Sequence, residues 1–322
     1  MNFTLINKSY LPNMTKKVFI DGKAGTTGLR IYDRLTQRQD IQLLTLSDEE
    51  RKNTQRRKDM LNACDIAFLC LPDDAAEEAI SLIEKPDVIV LDTSTAHRTL
   101  DDWAYGFPEL SKAHLDKIRA SKRIAVPGCH ASGFIATVYP LIAAGVLEKD
   151  ALLTCHSITG YSGGGKKMIA EYEDNGRNPL LDAPRQYGIT QQHKHLKEMV
   201  KMCSLENPPV FCPIVADFYS GMAVTVPLFR QQVKCSVQEI KDIYASLYQG
   251  PIVKYADNAS ENGFLSGAAF SGKDSMQICV EGNEDRILLI ARYDNLGKGA
   301  SGAAVECMNI AMGVPETSSL DI

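Results

Sequence analysis

Two uninterrupted apolar runs, residues 66–71 (IAFLCL) and 88–91 (VIVL), enclose the segment DDAAEEAISLIEK at 73–85. Such runs suit strands covered on both faces, and the enclosed segment reads as a helix with Asp73 and Asp74 at its positive end. Residues 17–21 (KVFID) and 41–46 add two further strand-like runs, with a helical pattern at 27–35 between them that is apolar at Leu29, Ile31 and Leu35. Strand alternating with helix predicts a doubly wound parallel sheet, an α/β domain. The second half changes character. Residues 152–159, 209–216, 222–228, 277–281 and 286–293 are strand-like with few long helices between them, which predicts an α+β domain with a mixed or antiparallel sheet, and 299–312 closes the chain as a helix. A length of 322 residues suits two domains at roughly 100–200 residues each.

The first strand runs directly into GKAGTTG, residues 22–28. Glycines in a first βα turn allow a tight backbone and the close approach of a pyrophosphate, which then rests on the helix N-terminus. The spacing is GxxGxxG, a variant of the Rossmann fingerprint, and it makes Gly22, Gly25, Thr26, Thr27 and Gly28 candidate cofactor residues. The second strand ends at Leu46 and Ser47 instead of on the acid that holds a ribose 2′-hydroxyl, and Arg51, Lys52, Arg56 and Arg57 follow. Cations without that acid favour a 2′-phosphate, hence NADP(H) with Ser47 beside it. Asp48, Glu49 and Glu50 in the same stretch weaken that inference, and a solvated helix face is the plain alternative.

Cys129, in VPGCHASGF, follows a Pro-Gly turn at the head of an apolar helix. The positive end of a helix lowers a thiol pKa and favours the nucleophilic thiolate. Cys64, Cys70, Cys279 and Cys307 lie in apolar runs and read as inert. Among 6 His, His193 and His195 stand in QQHKHLKEM with Glu198 three residues on. If that stretch is helical the two rings point about 200° apart, which disfavours one shared metal and favours acid–base work. No metal site is expected. YSGGGKK at 161–167 is a second glycine-rich loop, read either as an anion nest or as a hairpin tip.

The 9 Cys include no Cys-x-x-Cys pair, which argues against a disulfide framework or a zinc ribbon. A net charge of -5, with no basic run, argues against nucleic-acid and membrane partners. No apolar run is long enough to span a bilayer and the first residues lack a signal-peptide pattern, so a cytoplasmic location is expected. Residues 1–16 read as a disordered extension, with Met14 as an alternative start.

Taken in order, GKAGTTG, YGFPEL (105–110), PGCHASG, SGGGKK, QHKHLKEM, DFYSGMAVTVP (217–227) and DNLGKGASGAAVECMN (294–309) make the chain resemble the N-acetyl-γ-glutamyl-phosphate reductases, in the shorter of their two types. The resemblance runs from about residue 17 to 313. It implies NADPH-dependent reduction of an acyl phosphate to a semialdehyde with phosphate release in arginine biosynthesis, through a thioester on Cys129. It implies His193 as acid–base residue, with His195 and Glu198 orienting it or touching substrate, and Arg98 on a substrate anion. It also implies Ser162, Gly163, Gly164, Asn295 and Lys298 around the nicotinamide. The last helix would then return to the nucleotide domain, giving 17–127 with 296–322 as one domain and 128–295 as a catalytic and oligomerisation domain in a homodimer or homotetramer. His130 departs from the Tyr that the longer type carries after the cysteine. Other readings of the same residues are an aspartate or aminoadipate semialdehyde dehydrogenase, an N-succinyl substrate, a redox-independent cysteine acyltransferase, and a non-catalytic nucleotide sensor.

Overall fold

The computed structural model describes residues 15–322. Met14 and most of the anticipated extension lie outside the described residues, while Lys16 already belongs to the first strand. The first half alternates as expected: β1 (Lys16–Asp21), α1 (Thr26–Leu35), β2 (Ile41–Leu44), α2 (Thr54–Ala63), β3 (Ile66–Leu69), α3 (Asp73–Ser81), β4 (Ile89–Asp92), β5 (Ala104–Tyr105), α4 (Lys112–Ala120) and β6 (Arg123–Ala125). Every strand pairing in this six-stranded sheet is parallel, in the order β2-β1-β3-β4-β6-β5. All four β3 residues are buried, as helix-covered parallel strands require. Because β1 connects outward to β2 on one side and β3 lies on the other, a crevice opens at their carboxyl ends, where open α/β sheets bind ligands.

The second half comprises α5 (Cys129–Ala143), β7 (Thr154–Gly160), α6 (Gly165–Glu173), β8 (Arg185–Gln186), α7 (His195–Cys203), β9 (Val210–Ala216), β10 (Met222–Phe229), α8 (Val237–Leu247), β11 (Val253–Tyr255), β12 (Met276–Gly282), β13 (Arg286–Tyr293) and α9 (Gly302–Met312). Its seven strands form a mixed sheet, β11-β12-β13-β10-β7-β9-β8, with β7–β9 and β11–β12 parallel and the other pairs antiparallel. Along β10, buried and half-exposed residues alternate, so one face holds the core and the other is open. α7 falls in the stretch read as helical around His195, while α6 and α8, of nine and eleven residues, add helices to a half that reads as strand-rich; the α8 start carries a Ser236–Glu239 capping box.

α5 is the axle of this half. It is buried along nearly its whole length and packs against Val224, Met199 and Tyr244 in the larger core. α9 does not stay with its neighbours in sequence. Its residues Ala303, Val305 and Met308 join Val18, Ile31 and Phe68 in the core of the parallel sheet.

Candidate active site

The turn after β1 can be built only from glycine. Gly22 has φ +82°, and a Cβ there would lie 2.2 Å from the Cys70 carbonyl oxygen; a Cβ on Gly28 would lie 2.6 Å from the Gly22 oxygen. The N-cap of α1 is Gly25, which offers no side-chain cap, so the first amides of the helix are left for an anionic ligand. A crevice of about 330 Å³ runs from Gly25–Gly28 past Thr93 and Arg98 to Cys129, Ser162 and Asn295. A second cavity of about 690 Å³ continues along Gly22 and Leu46 to Arg51 and Lys52, the two sharing Leu71. Two joined compartments across a glycine turn fit a dinucleotide.

Cys129 is the first residue of α5, whose N-cap is Gly128. Its carbonyl accepts from the Tyr293 hydroxyl, which itself accepts from Gly133 N–H at 3.0 Å. A Cβ on Gly128 would lie 2.4 Å from Arg98 Nη1 and 2.5 Å from His195 Nε2, so only glycine lets both groups come up beside the cysteine. The thiol is not activated in the way the helix position predicts. Burial pushes it up to about 11, against the pull of the Arg98 guanidinium and the His130 amide. Desolvation of the thiolate outweighs the helix end, and the sulfur needs a base to ionise.

That base is close. Cys129 also lines a smaller chamber of about 240 Å³ with Tyr187, His193 and His195. The expected divergence of the two histidines does not occur. α7 starts only at His195, His193 lies before it, and the rings meet at 4.7 Å with the His195 amide donating to His193 Nδ1 at 3.2 Å. His193 lies outside the helix, so the 200° separation of a helical i, i+2 pair does not apply. His195 is buried, its pKa driven well down by desolvation and the neighbouring Arg98, and its Nδ1 has no partner among the described residues. His193 is half-buried and is lowered by desolvation and by Lys194. Both pKa values lie below 6.5, which favours the neutral ring that can accept a proton.

Arg98 donates to the Val126 carbonyl (2.8 Å), the Thr93 carbonyl (2.8 Å) and Glu198 Oε2 (3.1 Å). A guanidinium has five N–H groups, so two remain for a ligand. Glu198 does not line either chamber. It is buried behind the site and accepts from Arg98, from Tyr105 at 2.7 Å and from Gly128 N–H at 2.8 Å. These three bonds tie Arg98, Tyr105 and the Gly128 turn to one carboxylate. Asn295 donates to Ser162 Oγ at 3.0 Å and accepts from Gly221 N–H at 2.8 Å, which fixes both side chains in the crevice wall. Gly163 lines both chambers and Gly164 only the smaller one. YSGGGKK is a helical turn leading into α6, with no hairpin tip.

Two expected cofactor residues are placed elsewhere. Lys298 lines neither chamber: its ammonium is buried between Glu109 (2.7 Å) and Glu306. Ser47 bonds Glu50 at 3.1 Å and lines neither cavity. Arg56 and Arg57 are likewise engaged, by Glu50 and by Asp21 with Glu78. That leaves Arg51 and Lys52 as the cations of the larger cavity's far end. Among the described residues no His, Cys, Asp and Glu cluster could hold a metal ion, and no helix is long and apolar enough to cross a membrane. Sequence reasoning gave no role to Ser157, Tyr187 or Tyr105; nothing local in the sequence marks them.

Family models for the semialdehyde dehydrogenase NAD binding domain and dimerisation domain match residues 17–118 and 129–295. The chain is 43% identical over 318 residues to N-acetyl-gamma-glutamyl-phosphate reductase 2 of Nostoc sp., covering 94% of this chain and 99% of that protein. To N-acetyl-gamma-glutamyl-phosphate reductase of Allorhizobium ampelinum it is 42% identical over 308 residues, covering 93% and 99%. Solved structures share the fold at low identity. Aspartate semialdehyde dehydrogenase II of Vibrio cholerae superposes with a TM-score of 0.68 at 16% identity (92% and 98% covered). The NADP complex of aspartate semialdehyde dehydrogenase from Candida albicans does so at 0.66 and 15% (94% and 100% covered).

Proposed function

The chain belongs to the N-acetyl-γ-glutamyl-phosphate reductases, within the semialdehyde dehydrogenases, and from that membership we propose that it reduces N-acetyl-γ-glutamyl phosphate to N-acetylglutamate 5-semialdehyde with release of phosphate, a step of arginine biosynthesis. It is an oxidoreductase with a nicotinamide cofactor. The form we propose is NADP(H): Arg51 and Lys52 stand free of strong ion pairs where a 2′-phosphate would lie, apart from a 3.4 Å contact of Arg51 with Asp48.

The observation that carries the reading is Cys129 on the wall common to two chambers, with the glycine turn reached through one and two neutral histidines in the other. Gly22–Gly28 would hold the pyrophosphate, and Ser162, Gly163 and Asn295 the nicotinamide end. His193 takes the proton of the Cys129 thiol. The thiolate attacks the acyl carbonyl and phosphate leaves, its negative charge met by the two unengaged N–H groups of Arg98. A thioester on Cys129 results, and the phosphate takes its proton from solvent. NADPH held by the glycine turn and by Ser162, Gly163 and Asn295 would supply the hydride for reduction of the thioester. The tetrahedral oxyanion expels Cys129 as thiolate, and His193 returns its proton to the sulfur. His195, sealed and neutral, and Glu198, behind it, keep this arrangement in register.

Domain limits of 17–127 with 296–322, and 128–295, are part of the proposal and are supported by the packing of α9 in the parallel-sheet core. A homodimer or homotetramer through the open face of the mixed sheet is supported by the exposed Ile158, Leu288 and Val210 there and by the dimerisation-domain match. A reducing, cytoplasmic setting is supported by nine unpaired cysteines.

The test is phosphate-dependent reduction of NADP and of NAD, with N-acetylglutamate semialdehyde, its N-succinyl counterpart and aspartate semialdehyde as competing substrates. The expected result is a preference for the N-acetyl compound and for NADP, the latter lost in Arg51→Ala with Lys52→Ala. Faster turnover of aspartate semialdehyde would assign the chain to that neighbouring activity.

A further inference from the structure

A hydrogen-bonded chain leads away from the cysteine through residues to which the mechanism gives no task. His130, next to Cys129 on α5, places Nδ1 2.6 Å from Ser157 Oγ on β7 and Nε2 2.6 Å from the Tyr187 hydroxyl. Tyr187 lines the smaller chamber beside Cys129 and His193, and Ser157 is completely buried. A neutral imidazole has one donor and one acceptor nitrogen. Burial, with His193 alongside, drives His130 down to about 3, so the ring is neutral at any working pH.

Two proton arrangements fit these distances. In one, Tyr187 donates to Nε2 and Nδ1–H donates to Ser157. The serine proton then faces the core without an acceptor, since Ser157 Oγ has no other side-chain partner among the described residues. In the other, Ser157 donates to Nδ1, Nε2–H donates to the phenol oxygen, and the Tyr187 O–H is left to donate into the chamber. The first arrangement leaves a buried donor unpaired at its full desolvation cost and the second does not, so the second is the stable one.

The chamber also narrows what that phenol can meet. None of the residues lining it is acidic, so a substrate ammonium would find no counter-charge there, whereas an amide carbonyl would find a donor. We propose that Tyr187, oriented by the Ser157–His130 pair, donates a hydrogen bond to the acylamino carbonyl of the substrate and so selects N-acylated over free-amino acyl phosphates. The proposal rests on the reductase reading above. Tyr187 is the specificity residue; His130 and Ser157 are positioning residues.

The experiment runs the reaction in the oxidising direction with phosphate and NADP, on N-acetylglutamate semialdehyde and on glutarate semialdehyde, which lacks the acetamido group. Tyr187→Phe lowers kcat/KM on the acetamido substrate by about tenfold, mainly through KM, and leaves the other substrate unchanged. Calorimetric affinity for N-acetylglutamate weakens in parallel. Ser157→Ala leaves His130 Nδ1 unpaired in either tautomer and so removes the preference that holds the Tyr187 proton in the chamber, giving a smaller loss on the acetamido substrate alone, and combining it with Tyr187→Phe adds nothing further. Equal losses on both substrates, or additive losses in the double variant, overturn the proposal. A wild-type enzyme that prefers a free-amino semialdehyde overturns the reductase reading as well, and is told apart because no variant is needed to see it.

Discussion

The carboxylate of Glu198 accepts the backbone N–H of Gly128 at 2.8 Å, across 70 residues of sequence, and so anchors the turn that presents Cys129. The same carboxylate faces Arg98 at 3.1 Å, both groups buried. Removing it in Glu198→Ala leaves the guanidinium without a counter-charge, which costs about 3–5 kcal/mol for a buried pair. Chemical denaturation should show that loss, with turnover falling alongside it; a loss below about 1 kcal/mol would mean that Arg98 is solvated after all.

The Cys129 thiol, raised to about 11 by burial, should alkylate slowly in the ligand-free enzyme. Only the thiolate reacts, and its fraction rises about tenfold per pH unit below the pKa. The rate of inactivation by iodoacetamide should therefore climb steadily from pH 7 to pH 10, and Arg98→Gln should slow it further by removing the nearest cation. A plateau near neutral pH would show a depressed pKa instead. Cys129→Ser should abolish turnover while NADPH binding, followed by fluorescence, stays intact.

His193 has its pKa held below the ordinary 6.5 by desolvation and by Lys194. As a base it works unprotonated, so a lowered pKa extends activity to lower pH than a free imidazole would. The acid limb of kcat/KM should lie below 6.5 and vanish in His193→Asn, with the rate down by roughly 10²–10⁴. If His195→Asn removes that limb and His193→Asn does not, the two roles are exchanged.

Lys298 sits between Glu109 and Glu306 and has no free face towards the cofactor. Lys298→Met leaves two carboxylates in one buried site, at a cost of about 3–5 kcal/mol. Burial already holds Glu306 well above the usual carboxylate range. A carboxyl whose pKa is raised on folding binds more protons folded than unfolded, so its contribution is present at low pH and lost as pH rises through the folded value. Denaturation of the variant should show stability falling between pH 5 and 8 more steeply than in the wild type. Its NADPH affinity per folded molecule should not change; a large drop would return Lys298 to the cofactor site.

Much of this molecule was legible in the chain itself. The β-α alternation of residues 17–91 is written in local apolar periodicity, and the glycine turn and the cysteine at a helix head follow from backbone rules that act over a few residues. α8, in a half that reads as strand-rich, carries its own start signal at Ser236 and Glu239. What tertiary structure decided involves partners distant in sequence. The Lys298 ammonium, which the motif alone places beside the cofactor, is held by Glu109, 189 residues away. His193 and His195 converge because α7 starts at His195 and leaves His193 on the segment before it. The Cys129 thiol is raised because desolvation is a property of everything packed around the sulfur, and the helix end that favours the thiolate is one local dipole against it. Ser157, His130 and Tyr187 meet only when a strand, a helix and a loop are folded together, and hydrogen bonds between such elements leave no periodic trace in the chain.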